Sequence, residues 1–159
     1  MELKNDLTLL NNTRDLLEDS REGYMKAAER VDDHQLKSML VSLGTARLSL
    51  IQELDDLRVK ADPRVSADPE ERTREGGTLK GNLHRAWMDV RDALSKSDNA
   101  NVLHECERGE EYLMEHYADA DSSKVHPETF ALFQRQRSEV QGNLGRIKAL
   151  ALTFENIER

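Results

Sequence analysis

Five histidines and a large set of carboxylates are the residues of this chain that could do chemistry, and their spacing argues against the chemistry they first suggest. A dinuclear metal centre inside a helical bundle draws a Glu-x-x-His pair from each of two helices and a Glu from each of two others. None of His34, His84, His104, His116 and His126 has a Glu three residues before it. One carboxylate still falls where core chemistry would need it. On a helical wheel Glu110 lies among Cys106, Leu113, Met114 and Tyr117, on the apolar side of its helix. Arg47 falls likewise among Leu43, Leu50 and Leu54, and Gln136 and Asn143 take inward or near-inward positions on a third helix. A lone charge in such a place is very costly, so the pattern predicts a buried Arg47–Glu110 pair. Gln136, Asn143, Thr13 or Ser20 would satisfy its remaining polar atoms.

Such a constellation has two readings. As a polar layer it fixes the register and partner choice of packed helices. As a pocket it would grip a small anion, or preserve the remains of a metal site. No nucleophile or general base accompanies the pair, which favours the layer. A metal-binding alternative, holding iron, manganese or another divalent metal, would have to use Glu53, Glu107 and Glu110 with His104. The wheel gives it little help. Glu53 is a flank residue, His104 and Glu107 share a side away from the apolar stripe, and Glu18, Glu22 and Glu139 face solvent. His116 also lies off the stripe and reads as an edge residue. Cys106 faces inward between Glu105 and Glu107, where burial and negative charge raise a thiol pKa and make it unreactive. Gly76-Gly77 is an isolated pair, not a phosphate-cradling loop.

The elements that must position these residues are long helices. Leu7, Leu10, Leu17, Tyr24 and Val31 recur at three- and four-residue spacings and predict a helix over about 4–31. Asp32-Asp33 breaks it and caps a second over 34–61, close enough to be an antiparallel neighbour. The pattern then disappears in a charged loop, 62–78, holding two of the three prolines and Gly76-Gly77. A shorter helix over 79–95 carries Trp87, an anchor for docking it, with His84 one turn before. Ser97-Asp98 caps a helix over 99–120, and Pro127 opens the last, over 127–157. The expected fold is all-α, one domain over 1–159: a ferritin-like four-helix bundle, up-down with a long crossover, plus a short crossover helix.

Composition narrows the function classes. Of 159 residues, 34% are charged and 37% apolar, and no apolar run approaches the roughly 20 residues of a membrane span. A net charge of -8 disfavours nucleic acid and anionic lipid as partners, and the basic residues are interleaved with acids. The opening MELKNDLTLL lacks the basic and apolar regions of a signal peptide, and the single cysteine excludes an internal disulfide. A reducing cytoplasm is the expected location.

The segments Leu79-Lys-Gly-Asn-Leu-His-Arg-Ala-Trp-Met-Asp-Val and Glu105-Cys-Glu-Arg-Gly-Glu-Glu, with Arg21-Glu-Gly-Tyr-Met-Lys-Ala-Ala-Glu before them, carry a resemblance. They resemble a family of small bacterial ferritin-like four-helix-bundle proteins known as a domain of unknown function. The resemblance covers nearly the whole chain. It implies the bundle fold and a soluble bacterial protein, and it brings no established reaction and no active-site residues. The family pattern often carries a His in the last helix where this chain has Leu144, so no metal role passes to that position. The expected function is a non-enzymatic module acting as a homo-oligomer or with a protein partner.

Overall fold

A computed structural model describes residues 2–65 and 98–157. The expected helix over 79–95, with His84 and Trp87, and the loop beyond residue 65 lie outside the described residues. Within them the chain forms a 3-10 turn, Leu3–Asp6, and four α-helices, with no strand. The helices are α1, Leu7–Arg30; α2, His34–Ala61; α3, Asn99–Ala118; and α4, Pro127–Ile157. Each boundary has a local cause. The Asp33 carboxylate accepts the Leu36 N–H at 2.8 Å and starts α2, and Asp98 accepts the Asn101 N–H at 2.7 Å and starts α3. Such side-chain acceptors satisfy amides that the helix itself cannot reach. At α4, Pro127 sits at the first position, where its missing N–H costs nothing.

The helices share one core. Leu10, Leu17 and Tyr24 of α1 meet Leu40, Leu50 and Leu54 of α2, Leu103 and Leu113 of α3, and Val140 and Ile147 of α4. The most extensive packing joins α1 to α2 and α3 to α4, and smaller contacts join α1 to α3 and α2 to α4. Gly44 lets α1 and α2 approach closely. A Cβ there would stand 2.9 Å from Met25 Cε and 3.2 Å from Tyr24 Cβ, tighter than ordinary packing tolerates.

Contacts at the helix ends fix their directions. At one end Asp6, just before α1, accepts the His126 N–H beside the start of α4, and Lys60 near the end of α2 pairs with Glu128 at 2.7 Å. At the other end the Asn99 amide, opening α3, donates to Asp32 in the α1–α2 turn. Thus α2 and α3 run the same way, and α1 and α4 run opposite to both. The chain leaves α2 at one end and enters α3 at the other, so residues 62–97 connect points about 40 Å apart, the length of a 28-residue helix.

Candidate functional site

Arg47 of α2 and Glu110 of α3 meet at mid-height of the core, and both side chains have no exposure at all. Their contact is end-on. The single nitrogen Nη2 donates to both carboxylate oxygens at 2.5 Å, which leaves Arg47 Nε and Nη1 buried with no acceptor among the described residues. A side-on fork would have used two nitrogens. The Arg47 guanidinium also lies over the Tyr24 ring, 5.6 Å from its centroid, so the ring's negative face takes up part of the charge. One contribution from each of α1, α2 and α3 therefore makes the layer.

Titration in this layer is suppressed in a consistent sense. Burial opposes a charged guanidinium, but the Glu110 carboxylate outweighs it and holds Arg47 charged above its ordinary range. Burial first, and Glu110 second, push the Tyr24 hydroxyl well up. The Cys106 thiol is raised by burial and then by Glu110 and Glu105, and the Tyr117 hydroxyl is raised chiefly by burial. A thiol and two phenols that stay protonated, beside a guanidinium that stays charged, offer no group that gives up a proton near neutral pH.

The other residues expected around the pair have different partners. Gln136 is buried, yet it accepts the Tyr117 O–H at 2.7 Å and donates to the Leu50 carbonyl at 3.1 Å, with the Glu53 carboxylate at 3.4 Å. It seals the α2–α3–α4 seam instead of the ion pair, because its amide leaves α4 beside Leu50 and Tyr117. Asn143 is half-buried and makes no hydrogen bond to the pair among the described residues. Thr13 is engaged one level away, as described below, and the buried Ser20 hydroxyl has no partner among the described residues.

Nor do the four residues of the metal-binding alternative converge. Glu53 pairs with Arg135 across the α2–α4 surface. His104 pairs with Glu155 of α4 and lies 3.7 Å from Glu107, and these contacts raise its pKa, the Glu155 bond most. Glu110 alone is in the core. Among the described residues no three His, Cys, Asp or Glu side chains gather as metal ligands. The described residues of this set do not fit a dinuclear centre, since Glu110, the one of the four that lies in the core, already faces a fixed cation.

Of the buried polar groups that escape the helical wheel, two tie helices together. His116 is 7% exposed, not an edge residue. Its Nε2 lies 2.8 Å from Thr13 Oγ1, whose own hydrogen goes to the Leu9 carbonyl at 2.8 Å. The hydroxyl must therefore accept, which fixes the hydrogen of the neutral imidazole on Nε2. Burial lowers the His116 pKa to about 4. The second group ties α1 to α2: Asp55 accepts from Arg14 at 2.5 Å and from Arg58 at 2.8 Å, and Arg58 also donates to Asn11. The i, i+3 spacing of Asp55 and Arg58 beside Ile51 and Leu54 was the available signal.

A surface cleft of about 600 Å³ at the α1–α2 turn is bordered by Asp32, Asp33 and Asp98. It is no anion trap and a poor cation site, because Asp33 and Asp98 are spent as helix caps and Asp32 accepts from Asn99. No described helix is long and apolar enough to cross a membrane.

The model of one family, described as Domain of unknown function (DUF2383), matches residues 6–122. That span takes in α1, α2 and α3 and the whole Arg47–Glu110 pair. No curated protein and no solved structure matches the chain.

Proposed function

This protein belongs to the DUF2383 family, and we propose that it is a non-enzymatic bacterial helical module, cytoplasmic, that works by association with a further protein chain. Its domain is single, 1–159, and ferritin-like. The helix directions support that topology: two antiparallel pairs, with the end of α2 and the start of α3 at opposite ends of the helices. The same fold in its metal-using form fills the centre of the bundle with carboxylates and histidines. Here, among the described residues, Arg47 stands opposite Glu110, whose carboxylate has no exposure at all. That single observation carries the reading.

In this account the ion pair is a register device. An Arg and a Glu that must meet in a dry core allow one alignment of α2 against α3, and any slip leaves a buried charge unpaired. The outer faces, such as that of α1 with Glu22 and Glu29, are left to recognise partners. Photocrosslinkers placed at Glu22 and Glu29, and on an exposed position of each other helix, test this inside cells. Discrete products joining this chain to another protein chain, its own copy or a different one, are expected. A chain that forms no such product from any helix face is not an association module.

The alternative, a divergent iron- or manganese-binding protein or oxidase, needs Glu53, Glu107, Glu110 and His104 to leave their present partners and converge. No observation favours that movement.

A further inference from the structure

We infer that the outer face of α2 between residues 38 and 52 is a self-complementary contact, on which a second copy of this chain docks antiparallel. This chain is 34% charged, and its described helices display that charge outward: Glu22, Lys26 and Glu29 on α1, Arg108 and Glu111 on α3, Arg135 and Glu139 on α4. The α2 face is different. Every exposed residue from 38 to 52 is uncharged, and the one charged residue of that stretch, Arg47, is buried. On this face Val41 is 41% and Leu48 51% exposed, one heptad apart. Thr45 and Gln52 continue the same row at helical spacing.

Charge selects the occupant. Two copies of a chain with net charge -8 repel one another, and most of their faces would bury unpaired charge on contact. Among the described residues the α2 face is a long uncharged stretch on which they can meet without that cost, and depletion of charge is the compositional mark of an interface core. Its nearest exposed flanking charges are of opposite sign, Lys37 before it and Asp56 after it, Glu53 being held by Arg135. A two-fold axis between Gly44 and Thr45 lays Val41 of each copy against Leu48 of the other. It also carries Lys37 past Gln52 of the second copy, toward the acidic end. A parallel arrangement would set Lys37 against Lys37. The small side chains Thr45 and Ser49 let the two helix axes come close.

The seam is about 21 Å long, fifteen residues of helix. A stable standard interface buries about 800 Å² per partner, and a single helix seam of this length buries less, so the dimer is weak and reversible. This inference rests on the association reading above and names the surface and the partner.

Sedimentation equilibrium across about 1 to 500 µM tests it, a range in which weak dimers form and dissociate. The expected weight-average mass rises from 18.2 kDa toward twice that value. Leu48→Glu, at a half-exposed site, should weaken association at least tenfold with an unchanged helical spectrum. Register is tested by mixing Val41→Cys with Leu48→Cys chains under mild oxidation. Disulfides should join unlike chains, since like positions stand a heptad out of step, beyond disulfide reach. The native Cys106 is buried and stays silent. A constant 18.2 kDa mass at all concentrations overturns the inference, as does association that Leu48→Glu leaves intact or disulfides that join like chains equally well. A Leu48→Glu variant that stays monomeric like the parent but loses stability assigns the face to an intramolecular contact, which also overturns it. A monomer that still crosslinks to another protein in cells removes the dimer and leaves the association reading standing.

Discussion

Glu110→Ala is expected to lower the unfolding free energy by about 3 to 5 kcal/mol, the usual cost of stranding one member of a buried pair. The large value follows from the end-on geometry. Arg47 already has Nε and Nη1 without acceptors, so Glu110 is its only hydrogen-bond partner among the described residues. Removing the carboxylate leaves a guanidinium with no exposure, no acceptor and only the Tyr24 face beneath it. The decisive comparison is the double variant Arg47→Met, Glu110→Leu. Replacing a buried pair by apolar side chains of similar volume is often neutral, or stabilising by about 1–4 kcal/mol. Urea unfolding of both variants should show a steep loss in the single and little or none in the double. A single variant as stable as the parent would mean that the two side chains do not meet in a dry core.

The second large effect is on acid stability, through His116. Its folded pKa is lowered to about 4 by burial, below the ordinary 6.5. The folded protein therefore resists a proton that the unfolded chain accepts. The stability tied to the neutral imidazole is fully present above the unfolded pKa of about 6.5, and it is lost as pH falls from there toward 4. A difference of that size corresponds to roughly 3 kcal/mol across the window. His104 acts in the opposite sense, its pKa being raised by Glu155 and Glu107. What it contributes is complete below 6.5 and fades only at higher pH, so it does not obscure the His116 window. In the variant His116→Gln, whose amide can still donate toward Thr13, unfolding free energies at pH 6.5 and 5 should differ by less than in the parent. Equal slopes in the two proteins would show that His116 titrates in solvent.

Much of this architecture is legible in the residues, and the parts that are not share a physical cause. Helix ends are readable because Asp33 and Asp98 must supply acceptors to amides that lack them, and Pro127 can sit only where no donor is needed. Mid-helix, the wheel places Arg47 and Glu110 inward because apolar neighbours surround each of them on its own helix. The wheel fails where a helix touches two neighbours. α3 packs on α1 as well as α4, so its buried arc is wide enough to take in His116, which a single stripe leaves outside. Nor does the wheel assign Arg14, Asp55 and Arg58, whose burial follows from their meeting one another at the α1–α2 seam. Gln136 has the right depth, but an amide bonds what its own helix brings near, here Tyr117 and Leu50. Burial can be read from one helix at a time. Partnership cannot.

As a structural layer, the Arg47–Glu110 pair would hold no metal. Anaerobic titration of the untagged protein with ferrous iron, after purification without chelator, tests it most directly. No tight iron binding is expected, and no difference between the parent and the Arg47→Met, Glu110→Leu variant. Tight binding near one or two irons per chain, abolished in that variant, would contradict it and make the protein a divergent metalloprotein.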